Sequence, residues 1–301
     1  MPVFETPQPI SVTIDLVIGD ARIEAGARTD TVVEVSPSDP GQDADVRAAE
    51  RTRVECADGR LLVKAPRHRA PFGRVGSVTV TIGLPSGSAL RGSADIMALR
   101  VTGRLGACRF KTSAGDIRLA QTGSLVLASA VGDIAVDRVE GSADLTTGTG
   151  SVRIREVTGP AVIRNLNGDS WVGEVTGALR LNAANGAISV EKAHTAVAAR
   201  AASGDIRIGE VVRGSVVLGT SAGRLDVGIG AGIAALLDVW SHAGNVHNLM
   251  TAAEGPGPLD ETVEVRAGTS VGGGAGARAG ARGRGRPRAP PPRPPPPPPP
   301  P

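Results

Sequence analysis

From Gly115 onward the apolar and polar positions repeat. Reading from one glycine to its counterpart gives Gly115, Gly132, Gly150, Gly168, Gly186, Gly204, Gly223 and Gly244, spaced by 17, 18, 18, 18, 18, 19 and 21 residues. Three units open with close variants of one phrase: Gly115-Asp116-Ile117-Arg118-Leu119, Gly132-Asp133-Ile134-Ala135-Val136 and Gly204-Asp205-Ile206-Arg207-Ile208. Counted from the glycine, the third column holds Ile117, Ile134, Val152, Ile188, Ile206 and Leu225. The fifth holds Leu119, Val136, Ile154, Val172, Val190, Ile208 and Val227. The eighth holds Val139, Val157, Val175 and Val211, with a second glycine two residues on at Gly141, Gly159 and Gly177; the fourteenth holds Leu145, Ile163, Leu181 and Val217. Alternation of this kind marks half-buried β-strands. Each unit therefore reads as two short strands joined by two glycine corners. One unit cannot bury its own apolar stripe, but units stacked in register bury a continuous core. Stacked coils pair as parallel strands about 4.8 Å apart, and β-branched ladders suit that pleated surface.

The predicted fold is all-β: a parallel β-helix-like solenoid of about 18 residues per coil, with an N-terminal β-rich cap holding one short helix. The cap is assigned to residues 1–90. Ile10, Val12, Ile14 and Leu16 alternate as a strand, and Gly19-Asp20-Ala21-Arg22-Ile23 is an outlying copy of the repeat opening. A second strand covers Thr31 to Val35, and Ser36 to Gly41 is a turn. Asp43 to Arg53 predicts the helix, with an aspartate near its start as cap. Asp58-Gly59 predicts a tight hairpin between Val54–Ala57 and Arg60–Lys64. Pro66 to Gly76 is a polar loop, and Val78 to Leu84 a strand. The solenoid is assigned to 91–271, its first coil entered at Ser93-Ala94-Asp95-Ile96, aligned with Ser113 to Ile117. After 223 the register loosens, with Glu254 to Pro258 as a loop and Thr262 to Arg266 as a last strand. Residues 272–301, rich in Gly, Arg and Pro, predict a disordered tail with polyproline II character near Pro294.

Composition narrows the core. Apolar residues make up 41 %, but aromatics only 2 %, and there is no tyrosine. The interior must therefore be thin and filled by aliphatic side chains. The formal charge of +3 belongs to the tail: Arg278, Arg282, Arg284, Arg286, Arg288 and Arg293 account for six bases, and removing them leaves 27 basic against 30 acidic residues. With neither a basic stripe nor interleaved aromatics visible along the body, nucleic acid is not an expected partner. No apolar run approaches the length of a membrane span. The N-terminus shows no basic region followed by an apolar one, so the expected compartment is the cytoplasm. Cys56 and Cys108 match no metal spacing and read as reduced, partly buried thiols.

The sharpest chemical candidates are Asp116, Asp133, Asp169 and Asp205, which share the second column. A carboxylate row could bind calcium, or a pair could cleave glycosides. Ser151 and Ala187 interrupt the row, and turn aspartates that accept from local amides are the plainer reading. Asn167 and Asn185 precede corner glycines, with Thr149 and Ser203 in the same column, and predict a structural amide ladder. His68, His194, His242 and His247 do not cluster in the sequence. Trp171 shares its outward column with Arg118, Arg153 and Arg207 and is a candidate contact for a sugar or a partner. No nucleotide loop or nucleophile elbow occurs. The expectation is no catalytic residue, no cofactor and no metal.

Phe4 to Val12, Thr29 to Val35, Gly59 to Pro66, Gly103-Arg104-Leu105-Gly106, Arg109-Phe110-Lys111-Thr112 and Asn165 to Gly177 resemble a bacterial family of β-strand-repeat proteins. That family carries the label "putative adhesin" and is otherwise a domain of unknown function. The resemblance covers roughly residues 1 to 271 and implies a β-solenoid of no established activity. A closing strand begins at Thr269-Ser270-Val271-Gly272 and gives way to the Gly/Arg/Pro sequence. The expectation there is a shifted reading frame or an acquired tail, which resequencing the 3′ end decides. The function expected is a non-enzymatic binding or scaffold protein with an unknown protein or glycan partner. Two rivals are kept: a carbohydrate-active β-helix enzyme, and a self-assembling cytoplasmic structural protein, since an unpaired coil at either end is a template for homo-oligomers.

Overall fold

The computed structural model describes residues 2–66, 75–230, 233–242, 245–248, 262–271, 275–279 and 283–285. The N-terminal part runs β1 (Val3–Glu5), β2 (Ser11–Gly26), β3 (Asp30–Pro37), α1 (Asp43–Arg51), β4 (Arg53–Ala57), β5 (Arg60–Lys64), β6 (Val78–Pro85) and β7 (Ala89–Leu105). Strand β2 is a full coil in one unbroken strand. Its first half pairs with β5 in parallel and its second half with β6, while its other edge pairs with β7 throughout. Gly19 stands opposite Met97, whose coil leads by register to Gly115, so the outlying repeat copy does sit in the corner column.

The boundary expected at 90/91 is therefore no break in the stacking. It is hidden in the sequence because Ser11 and its partner Ala89 lie 78 residues apart instead of one period. What caps the end is narrower: β1 and β3 add antiparallel strands beside β6, and β4 pairs antiparallel with β5. The hairpin turn is as predicted, with Asp58 and Gly59 at φ 48° and 69°, the mirror-image turn that follows strand twist. The helix ends at Arg51, two residues early. Gln42, and no aspartate, occupies its N-cap without a side-chain bond; Asp45 instead accepts from the amides of Asp39 and Ser77, tying the helix to its flanking loops.

The central coils each supply one strand to each of two facing sheets. The first sheet holds β8 (Cys108–Ala114), β10 (Leu125–Val131), β12 (Ala143–Thr149), β14 (Ala161–Asn167), β16 (Leu179–Asn185), β18 (Val197–Ser203) and β20 (Gly214–Ala222). The second holds β9 (Ile117–Thr122), β11 (Ile134–Val139), β13 (Val152–Val157), β15 (Ser170–Val175), β17 (Ile188–Ala193), β19 (Ile206–Val211) and β21 (Leu225–Ile229). Every strand pairs in parallel with its counterpart one coil away. The third, fifth and eighth columns are buried, as their apolar pattern requires.

Two register assignments change. The first coil aligns Leu99 with Ile117, while Ile96 falls opposite Ala114 and is exposed. Its corner position is held by Met97 and not by a glycine, so the glycine-based alignment slipped. In the coil after Gly204, Leu218 takes the fourteenth-column place beside Ala199 and Val217 points outward. The extra residue of that coil lies in the corner around Gly214, which carries φ 94°.

The corner glycines from Gly115 to Gly223 have φ between 125° and 153°, a region that side chains rarely adopt. At Gly150 a Cβ would also run into the carbonyl oxygen of Gly132 one coil below. The core is filled almost wholly by aliphatic side chains. Phe110 is the largest fully buried side chain, and its ring rests on Gly92 of the adjacent strand.

The C-terminal end is stacked out of order, where an irregular covering was expected. It holds β22 (Ala234–Ser241), β23 (Val246–Asn248), β24 (Thr262–Val271), β25 (Ala275–Ala279) and β26 (Gly283–Gly285). Strands β24 and β25 stack directly on β20 and β21; β22 and β23 stack beyond them, and β26 beyond β22. The chain thus skips a level and returns to fill it. Two short strands, β25 and β26, fall within the stretch assigned to the tail. Strand pairing draws on backbone groups and needs no apolar side chain, which composition alone does not register. Gly244, the loop from Glu254 to Pro258, His68 and the polyproline end lie outside the described residues.

Candidate functional site

The aspartate column becomes a structural ladder. Asp116 Oδ1 accepts from the amide of Asp133 at 3.0 Å, Asp133 from Ser151 at 2.7 Å, Asp169 from Ala187 at 2.8 Å and Asp205 from Arg224 at 2.7 Å. Each carboxylate thus caps the equivalent amide of the next coil, not a local one as expected. The Ser151 amide and hydroxyl hold the Asp133 carboxyl below the usual carboxylate range. That role explains why Ser151 and Ala187 are tolerated in the column: any residue supplies the amide. The asparagine ladder has one complete rung, Asn185 Nδ2 donating to Asn167 Oδ1 at 2.9 Å.

A second ladder runs inside, unmarked by the repeat reading. Thr112, Ser129, Thr147, Asn165, Thr220 and Thr269 are buried polar side chains near the corner end of the first sheet. Thr112, Ser129 and Thr220 donate to carbonyls at the end of their own strands. Asn165 Nδ2 spans coils, donating to Gly150 O at 3.1 Å, Gly168 O at 2.9 Å and Ser170 Oγ at 3.3 Å. The sequence signal was available, as a run of Thr, Ser and Asn two residues before the Asn/Thr column.

The outward sides of the two sheets differ. On the second sheet, charges pair from coil to coil: Arg138 with Glu156 at 2.8 Å, Arg155 with Asp137 at 3.5 Å and Lys192 with Glu210 at 3.6 Å, while Arg104 reaches across two coils to Glu140 at 2.7 Å. Stacking also lines up Arg22, Arg100, Arg118, Arg153, Trp171 and Arg207 in one row, with Ala135 and Ser189 between them. A basic row with an aromatic therefore exists, contrary to the reading along the chain, which does not see residues 18 apart as neighbours. The aspartate ladder runs beside that row, and Asp116 lies 4.0 Å from Arg118. Trp171 is half-buried: its Nε1 donates to Glu191 at 3.0 Å, and the Arg153 guanidinium sits 5.2 Å from its ring centroid.

On the outward side of the first sheet, Arg91, Arg109, Lys111, Arg164, Arg180 and Arg200 face solvent against Asp95 and Asp144, and Asp144 is held by Arg164 at 2.8 Å. Toward its N-terminal end lies a groove of about 560 Å³ lined by Ser11, Thr13, Arg60, Arg91, Arg109 and Ser124 over a floor including Ala89 and Ala107. A second, shallower groove of about 400 Å³ lies near the other end beside Trp240, Arg200 and Arg266. There Trp240 lies over Gly268 and meets His242 edge-on at 5.2 Å.

The other candidates stay apart. His194 pairs with Glu174 at 2.6 Å, and His242 serves Trp240. Cys108 is buried, its thiol pushed up to about 12 by that burial; Cys56 is half-buried and also raised by burial, and both are free. Among the described residues no three of His, Cys, Asp and Glu come together as a metal cluster. No described helix is long and apolar enough to cross a membrane.

Two parallel sheets joined by glycine corners, with their acids committed to coil-to-coil bonds, define a β-solenoid scaffold. The family model of the Toastrack DUF4097 domain matches residues 11–215; the chain belongs to that family, a β-solenoid fold. No curated protein matches the chain in sequence. Among solved structures, it is similar to a protein of Bacteroides fragilis described as a putative adhesin, at 11 % identity and TM-score 0.31, covering 91 % of this chain and 95 % of that one. A putative adhesin of Parabacteroides merdae matches at 12 % identity and TM-score 0.31, covering 91 % and 94 %. A putative cell adhesion protein of Clostridium sporogenes matches at 11 % identity and TM-score 0.21, covering 92 % and 97 %. At these scores the matches add no argument to the family match.

Proposed function

We propose that this chain is a non-enzymatic binding scaffold, adhesin-like in using the outward sides of its solenoid to hold a protein or glycan. The observation that carries the reading is where the carboxylates go. A glycosidase or lyase built on a β-helix needs free acids in a cleft, and here the column aspartates accept amides of the next coil. The groove of about 560 Å³ on the first sheet is lined by arginines and hydroxyls, with no carboxylate; Glu5 and Asp58 line a larger cavity of about 980 Å³ that adjoins it at Ser11, Arg60 and Ala89. The arginine groove is suited to binding and has no general acid or base of its own.

The test is a paired screen of the purified full chain. Glycan and protein arrays are expected to return ligands, and a glycan-degradation assay no turnover. Turnover that Asp133→Ala abolishes would replace this reading by the enzymatic one. The compartment belongs to the proposal as well: cell fractionation is expected to place the chain in the cytoplasm, and recovery from the cell surface would move it toward a true adhesin.

A further inference from the structure

We propose that the groove formed by Arg60, Arg91 and Arg109 is a binding site for an acidic glycan, one carrying sulfate, phosphate or carboxylate groups along its chain. The inference rests on the binding-scaffold reading and names the ligand class and place. Arg91 and Arg109 stand opposite each other on β7 and β8, about 4.8 Å apart at the backbone. They can grip one anionic group from two sides, each with a planar, two-pronged donor. Arg60 stands opposite Ser11 on β5, and Ser11 lies opposite Ala89 on β7. It is thus two strand spacings from Arg91 and three from Arg109, roughly 10 and 14 Å across the strands, and two residues earlier along them. That separation is too long for a single small anion and suits successive acidic groups on a polymer.

The groove is otherwise lined by hydroxyls and small residues. Thr13 shares the row of Arg91 and Arg109, and Ser11 and Ser124 share the row of Ala89 and Ala107. Hydroxyls at those places can exchange hydrogen bonds with sugar hydroxyls. The volume of about 560 Å³ falls in the range of ligand sites that hold several rings. No carboxylate lines the groove, and among the described residues none of the three arginines has an ion-pair partner. The nearest acid in the next row, Asp15, lies 3.7 Å from Lys64 and accepts from Ser93. A polymer leaving the groove along the solenoid axis meets Lys111, Arg164, Arg180 and Arg200 on the same side, with one acid among them, Asp144, held by Arg164 at 2.8 Å. Nucleic acid is disfavoured because no aromatic ring lines the groove, and single strands are held largely by base stacking.

The experiment is calorimetric titration of the full chain with a heparin-derived hexasaccharide, an oligogalacturonate of similar length, inorganic sulfate and a single-stranded oligonucleotide. The sulfated and carboxylated oligosaccharides separate the two sources of anionic charge. At least one is expected to bind, with affinity falling as salt rises and at least tenfold weaker in Arg91→Ser/Arg109→Ser. Arg60→Ser is expected to lower oligosaccharide affinity while leaving that for inorganic sulfate unchanged. All three side chains are exposed, and unchanged thermal melting shows that the variants fold. Binding that persists in the double variant overturns the groove while leaving the scaffold reading intact. So does tighter binding of the oligonucleotide, or failure of both oligosaccharides in a protein that binds other array ligands. Failure of every array ligand as well overturns both readings.

Discussion

The two sheets share the same corners, coil length and inward ladders, yet their outward sides differ: acid–base bridges between coils recur along the second, while the first carries a groove of arginines. On the second sheet, Arg138–Glu156, Arg155–Asp137 and Lys192–Glu210 bridge successive coils, beside a row in which Arg22, Arg100 and Arg118 stack. On the first, Arg91 and Arg109 face each other without an acid between them. Like charges set directly opposite across strands are destabilising, so this sheet carries a small stability cost that a bound anion would relieve. Stacking fixes which residues are neighbours, and the choice of neighbours decides whether a side of the solenoid is inert or receptive.

The comparison presumes intact corners, and the largest expected effect comes from breaking them. Gly150→Val combines a positive φ with a clash against the Gly132 carbonyl. It is expected to cost about 3 kcal/mol or more, from backbone strain plus overpacking. Denaturant unfolding of the full chain measures this, and wild-type stability would mean that the corners do not require glycine. Next comes the inner ladder at the corner end of the first sheet. Asn165→Ala removes one donor group shared by Gly150, Gly168 and Ser170, and the orphaned acceptors are expected to cost about 1–3 kcal/mol. A smaller loss than for Arg138→Ala on the second sheet would contradict the ranking.

The aspartate ladder is distinguished by pH. Because Asp133 is held below its ordinary range in the folded state, its contribution is present above the unfolded carboxylate range and is lost as pH falls through the lowered value. Asp133→Ala is therefore expected to destabilise at neutral pH and to match wild type once both states are protonated. Thermal melts across that acidic window check this; a difference that stays constant with pH would assign the effect to packing. The smallest effects sharpen the contrast itself. Arg138→Ala is expected to cost about 0.2–1 kcal/mol and to lose that effect in high salt. Arg91→Ser/Arg109→Ser is expected to leave stability unchanged or raised by a few tenths of a kcal/mol. Equal destabilisation by the two would erase the distinction between the sheets.

Much of this was legible along the chain. The third, fifth and eighth columns mark the core because inward side chains must be apolar at every level of the stack. Asp58-Gly59 marks its hairpin because few other dipeptides accept two positive φ angles. Where spacing departs from the period, legibility fails. The 18-residue period puts Val217 inward because it does not show the extra residue at the Gly214 corner, and Met97 hides the first coil because alignment on glycines passes over it. The groove was not legible at all. Arg60, Arg91 and Arg109 belong to separate turns of the chain, and nothing in their local sequence sets them apart from other exposed arginines.

By itself, then, the sequence determined a coil of about 18 residues, its inward ladders and its corners. These are local consequences of alternation and of glycine's backbone freedom, repeated until they become unmistakable. The order of the stack was decided only in three dimensions. At both ends a later segment lies between or beyond earlier ones, with β2 held between β6 and β7 and β24 between β20 and β22. Parallel pairing is satisfied by any coil of matching register, whatever its distance along the chain, so spacing does not specify which two coils meet. The outward rows inherit that freedom: a charge is paired or left open according to the coil that lands beside it.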